Sequence, residues 1–276
     1  MKVYEFGNKY NPVIMLFPGT CCQWSSFREV IPPLTDNFYV CCVSYDGFDK
    51  TEDTVFPTMI EETEKIEAYI QEHFGGKVFA GYGCSLGGSF IGLLVSRQKI
   101  HMEHGIIGSS DMDQANKFAA KIMTAIITPI MSSMMKPEEK RGKLMSSLMN
   151  KKMEQADDYT KKFMQLMTGE DTPDYSYMDK KSMTNQFYSD LVTPLPEQIS
   201  VPGTTIHVFY ALKMGKKYRE RYLKYFKDPD IIEFDLRHEE LLLYPERWAR
   251  EVAKACKVYE TIDTGKRTGE RKWERK

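Results

Sequence analysis

The chain is 276 residues long, 42% hydrophobic and 28% charged, with a formal net charge of −1. That length suits one α/β domain with an insertion better than two independent domains, and nothing in the near-zero net charge suggests bulk attraction to nucleic acid or an anionic membrane. Lys2, Glu5 and Lys9 interrupt the apolar runs at the start, which excludes a signal-peptide core, and no stretch of about 18 apolar residues could span a bilayer.

In chain order, Lys2–Phe6 reads as an edge strand and Val13–Phe17 as a buried one, followed by a helix over Trp24–Leu34. A strand over Phe38–Val43 leads into the turn Tyr45-Asp46-Gly47-Phe48-Asp49, whose aromatics could line a pocket mouth. Further strands are expected at Lys77–Tyr82, His104–Gly108, Thr205–Tyr210 and Ile231–Phe234, and further helices at Thr58–Phe74, Leu86–Arg97, Tyr218–Phe226 and Pro245–Tyr259. Several strands are apolar almost throughout, as strands covered on both faces are. The alternation of strand and helix implies a doubly wound, mostly parallel α/β sheet with sites at the carboxyl ends of its strands. The six cysteines, including the pairs Cys21-Cys22 and Cys41-Cys42, show no metal-ligand spacing and read as the reduced thiols of a cytoplasmic protein.

The stretch Gly81-Tyr82-Gly83-Cys84-Ser85-Leu86-Gly87-Gly88 joins a predicted strand to a predicted helix through a turn with a hydroxyl at its apex. This is the G-x-S-x-G pattern of a nucleophile elbow, in which small neighbours let strand and helix pass closely. If Cys84 were central, the flanking positions would be the bulky Tyr82 and Leu86. With Ser85 central they are Gly83 and Gly87, so Ser85 is the expected nucleophile. The pattern lacks the Gly-Lys-Ser/Thr ending of a P-loop and the three-glycine dinucleotide spacing.

The alternation breaks between residues 111 and 200, which read as mostly helical and carry 12 of the chain's 17 methionines. Leu144/Leu148, Met145/Met149/Met153, Tyr159/Phe163/Met167 and Met183/Phe187/Leu191 repeat at helical spacing, and Pro137-Glu138-Glu139 suits a helix start. Most of these stripes are expected to be packing. Methionine is also flexible, which suits a helical cap over an apolar pocket. Residues 1–110 and 201–264 would then form the core, and 265–276, with six basic residues and two acids, a poorly ordered tail.

With these residues in hand, the chain resembles the α/β-hydrolase superfamily, specifically its capped carboxylesterase and lipase-like branch. Three motifs in the family's order carry the resemblance: Leu16-Phe17-Pro18-Gly19-Thr20 as oxyanion loop, the elbow at Ser85, and His238-Glu239-Glu240-Leu241-Leu242 before the final helix. The resemblance implies that Ser85 attacks an acyl carbonyl, His238 serves as base and then acid, and the N–H groups of Thr20 and Leu86 hold the oxyanion. It implies a small-molecule ester substrate, no cofactor and no metal, no nucleic-acid partner and no membrane span; association of identical chains stays open. Of the other histidines, His73, His101, His104 and His207 sit where structural roles are expected. The acid departs from the pattern, because Ala211-Leu212-Lys213-Met214-Gly215 has Met214 where a carboxylate is expected. Asp111 is the preferred substitute, with Asp113 and Glu220 as alternatives. Thioester, amide or carbon–carbon bond hydrolysis, or ligand binding without catalysis, would fit the same scaffold.

Overall fold

The computed structural model describes residues 1–135, 142–168 and 177–258; the side chains of Met134, Leu144, Met145, Leu148 and Met149 fall outside the described set. The Leu144/Leu148 stripe, most of the Met145/Met149/Met153 stripe, the Pro137 helix start and the basic tail therefore lie outside the described residues.

Seven strands form one sheet: β1 (Lys2–Phe6), β2 (Val13–Phe17), β3 (Tyr39–Ser44), β4 (Lys77–Gly83), β5 (His101–Ile107), β6 (Thr205–Ala211) and β7 (Asp230–Phe234). Their order is β1-β3-β2-β4-β5-β6-β7. Only β1 is antiparallel, pairing Lys2 with Ser44 and Phe6 with Val40, so the expected edge strand sits at the sheet's margin. The middle strands alternate between two buried layers. Ile14, Leu16, Val40 and Cys42 pack with Leu34 and Trp248 on one face. Met15, Phe17, Cys41 and Val43 pack with Ile66 and Phe90 on the other. Burying each such side chain is worth about 1.5–3 kcal/mol, which is why both faces must be covered.

The helices among the described residues are α1 (Ile31–Thr35), α2 (Met59–Phe74), α3 (Leu86–Arg97), α4 (Lys117–Met134), α5 (Lys143–Glu154), α6 (Asp158–Thr168), α7 (Lys180–Val192), α8 (Lys216–Tyr225) and α9 (Pro245–Ala255). Thr58 caps α2 by accepting the N–H of Glu61 at 3.2 Å, and left-handed Gly75 ends the helix. The expected helix over Trp24–Leu34 is instead a 3₁₀ turn at Trp24–Phe27 followed by the short α1. Pro32 and Pro33 lack an N–H and fit only a helix's first turn, so the helix restarts there.

Four helices, α4 to α7, lie between β5 and β6. They reach the main body at named points. Gln186 of α7 accepts the N–H of Cys21 at 2.8 Å, and Tyr159 of α6 donates to the carbonyl of His238 at 2.7 Å. The residues after β3 form the expected turn, but its aromatics do not line a pocket mouth. Tyr45 and Phe48 are fully buried, and Tyr45 stacks on Phe90 with ring centroids 4.7 Å apart. They are core residues, because the turn folds inward over α2 and α3.

Candidate active site

β4 delivers the chain into the elbow at its carboxyl end. Ser85 occupies the apex with φ 50° and ψ −113°, a conformation that side chains other than glycine rarely adopt. The close approach that holds it there is measurable. A β-carbon on Gly83 would lie 2.2 Å from the Gly87 carbonyl oxygen, and one on Gly87 would lie 2.2 Å from the Phe17 carbonyl oxygen. Both flanking positions therefore require glycine, which supports the reading frame with Ser85 at its centre. Cys84 points into the core and is fully buried. Burial, then the Glu239 carboxylate, pushes its thiol well above the ordinary value, so it stays protonated and inert.

Ser85 directly precedes α3, where the helix dipole favours developing negative charge. The loop expected to hold the oxyanion lies against the elbow: a β-carbon on Gly19 would sit 3.5 Å from Ser85 Cβ. Tyr45 fixes that loop by donating its hydroxyl to the Pro18 carbonyl at 3.1 Å. Among the described residues, the N–H groups of Thr20 and Leu86 donate to no protein acceptor. Two uncommitted donors thus lie next in the chain to Gly19 and to Ser85.

The loop after β7 carries His238, half-buried beside α6, with the Phe163 ring edge-on at a centroid distance of 6.1 Å. No hydrogen bond joins its ring to Ser85 or to Asp111 among the described residues. Asp111 follows β5. Burial pushes its carboxyl up, Asp113 adds to the effect, and His238 and Arg221 pull it back. His238 and Asp111 are therefore electrostatic neighbours. The two alternatives are otherwise placed. Asp113 is ion-paired with Arg221, and Glu220 is exposed on α8. The segment after β6 is a 3₁₀ turn, Leu212–Met214, and offers no carboxylate.

One residue of the site had no expected role. Glu239 is 2% exposed and adopts φ 53°, turning its side chain beneath the elbow. Its Oε1 accepts the N–H groups of Ser85 and Ser109, each at 2.8 Å, and its Oε2 accepts the Tyr82 hydroxyl at 2.7 Å. It ties the ends of β4 and β5 to the histidine loop. Its only signal in the sequence is adjacency to His238, since a lone glutamate ordinarily reads as solvated.

No family model matches the sequence, and no curated protein matches it. Solved structures match along almost the whole chain. A putative alpha/beta hydrolase family protein from Desulfitobacterium hafniense superposes with a TM-score of 0.67 at 17% identity, over 92% of this chain and 99% of that one. The enol-lactonase from Burkholderia xenovorans LB400 gives 0.67 at 14% identity, over 93% and 96%. A thermophilic esterase from Thermogutta terrifontis gives 0.65 at 14% identity, over 93% of each chain. With the seven-stranded order and helices on both faces, the chain has the α/β-hydrolase fold.

Proposed function

We propose that the protein is a serine hydrolase that cleaves carboxylic esters of small to medium apolar or aromatic acyl groups, without a cofactor. The observation that carries this reading is Ser85 at a strained apex, with the uncommitted N–H groups of Thr20 and Leu86 in the two segments that meet there. Strain of this kind costs about 1–3 kcal/mol and persists where the surroundings enforce it. The similarity to an esterase and an enol-lactonase is consistent with ester chemistry, though fold alone does not fix a reaction.

In the proposed cycle Ser85 Oγ attacks the acyl carbon while His238 takes the hydroxyl proton, and the carbonyl electron pair moves onto oxygen. The N–H groups of Thr20 and Leu86 hold that oxyanion. Collapse expels the alcohol, protonated by His238, and leaves an acyl-serine. Water attacks the acyl carbon, His238 takes its proton and returns it to Ser85, and the acid departs. Asp111 steadies the imidazolium as His238 moves into contact, since apo active-site hydrogen bonds are often open. Residues 111–200 act as the cap. Tyr159 and Phe163 of α6 flank His238, and Gln186 of α7 holds the oxyanion loop through Cys21.

A second reading, ligand binding without catalysis, is favoured by the open Ser85–His238–Asp111 contacts and the missing carboxylate after β6. A fluorophosphonate probe separates the two. Rapid labelling that disappears in Ser85→Ala and persists in Cys84→Ala supports the hydrolase. Absence of labelling overturns it. Nitrophenyl esters of graded acyl length then define the acyl preference.

A further inference from the structure

Helix α4 is turned inside out. Its body-facing positions are Ala120, Thr124 and Thr128, one helical turn apart and all nearly inaccessible. The hydroxyls of Thr124 and Thr128 are buried without a hydrogen-bond partner. Its solvent side carries the large apolar groups at the same spacing: Phe118 is 74% exposed, Ile122 47%, Ile126 59% and Ile130 46%. A helix at a protein's surface ordinarily shows the opposite pattern. Isolated exposed apolar residues need no explanation, but four in one stripe mark a contact surface.

The charges break a second rule. The only charged residues of α4 are Lys117 and Lys121, both exposed and both in the first two turns. There the positive end of the helix dipole repels cations. The following helix α5 adds Lys143, Lys151 and Lys152 against the single carboxylate of Glu154. The net charge of −1 for the whole chain conceals this local excess. A stripe of bulky apolar side chains flanked by lysines is the composition of a helix lying in a lipid–water interface.

From the apolar stripe and its flanking cations, we propose that the outer face of α4 docks on an anionic lipid surface. Phe118, Ile122, Ile126 and Ile130 enter the acyl boundary, and Lys117 and Lys121 meet the lipid phosphates. A second copy of the chain is the poorer occupant. Pairing two α4 helices would remove the lysines from water, and α4 has no carboxylate to receive them. The inference stands on α4 alone and does not depend on the reaction at Ser85.

The test is co-sedimentation of the full chain with phosphatidylcholine vesicles, with and without phosphatidylglycerol. The chain should bind the phosphatidylglycerol vesicles preferentially. Ile122→Ser/Ile126→Ser should weaken that binding at least about tenfold, and Lys117→Glu/Lys121→Glu should weaken it about tenfold and remove most of its salt dependence. Circular dichroism of both variants should match the unaltered chain, since all four positions face solvent. Four results would overturn the proposal: no binding to either vesicle, equal binding to both, binding that the isoleucine substitutions leave intact, or a concentration-dependent dimer that they dissociate. The last would assign the face to a second copy.

Discussion

Helices α3 and α4 are both apolar and both follow a sheet strand, yet they use their apolar residues in opposite ways. In α3, Leu86, Phe90, Ile91 and Leu94 are buried between sheet and α2, while Gly87 and Gly88 let the helix touch β2 and the end of β5. In α4 Phe118, Ile122, Ile126 and Ile130 face water while Ala120, Thr124 and Thr128 face the protein. The difference shows what a helix-period pattern encodes: it fixes that a face is apolar, and the surroundings decide what covers it. Strain follows the same division. At the elbow, packing enforces a disfavoured backbone, whereas α4 shows no positive φ at all among its residues.

The largest expected effect is chemical. Ser85→Ala should reduce ester turnover by on the order of 10⁶ while leaving the fold intact, whereas Cys84→Ala should keep substantial activity because its thiol is buried and protonated. Steady-state turnover of a nitrophenyl ester measures both, and near-normal activity of Ser85→Ala would remove the elbow's distinction from an ordinary turn. Next, Asp111→Asn should lower turnover about 10²–10⁴-fold with a smaller change in KM. Asp113→Asn and Glu220→Gln, measured beside it, should each lose less than about tenfold. If all three remain active, His238 works without a carboxylate partner.

Two stability contrasts sharpen the comparison further. Gly87→Ala forces a β-carbon 2.2 Å from the Phe17 carbonyl oxygen and should cost about 3 kcal/mol or more. Ile126→Ser on the exposed face of α4 should stay within about 0.5 kcal/mol. Glu239→Ala strands the N–H groups of Ser85 and Ser109 and should cost about 2–5 kcal/mol, most of it recovered by Glu239→Gln, whose amide oxygen can still accept both. Urea denaturation midpoints read all four; equal costs for Gly87→Ala and Ile126→Ser would erase the contrast between the helices.

Why some of this was legible in the sequence and some not follows from the range of the interactions. Glycines at 83 and 87 and a serine between them act over five residues, so the elbow is visible as a string. β2 and β3 are visible because both their faces are buried and their runs are apolar almost throughout. Trp24–Leu34 misled because its apolar spacing was helical while Pro32 and Pro33 imposed a restart. The orientation of Tyr45 and Phe48 was not legible, because a turn's aromatics can face in or out, and only α2 and α3 decide. Glu239 was invisible for a stronger reason. Its three donors are Tyr82, Ser85 and Ser109, more than a hundred residues away in the chain, and nothing local reports their approach. The proposed acid is the same kind of problem, since the charge of His238 reaches Asp111 only after β5 and β7 have joined the sheet.

The pH dependence of stability gives a further contrast, in which two regions pull in opposite directions. On the sheet, His207 Nδ1 donates a hydrogen bond to the Asp230 carboxylate at 2.9 Å, leaving His207 Nε2 to face His104 Nδ1 at 3.1 Å. Burial, then the neighbouring His207, pushes His104 down to about 4 from an unfolded value near 6.5. The folded chain therefore binds fewer protons, so this contribution is complete above pH ~6.5 and is lost as pH falls toward ~4. Beside the site, Asp190 of α7 is pushed up to about 8 by burial and by Asp111, with Ser89 opposing through a hydrogen bond. Here the folded chain binds more protons than the unfolded one, so stability is lost as pH rises from ~4 through ~8. His104 is half-buried, and the screened effect should be about 1–2 kcal/mol; Asp190 should contribute at least about 1 kcal/mol. Thermal midpoints across pH 4.5 to 8 give the readout, about 2–4 °C per kcal/mol for a chain of this size. Asp190→Asn should flatten the alkaline limb, and His104→Gln the acid limb. A steeper acid limb in His104→Gln would mean that the histidine pair is held by its charge and not by its burial.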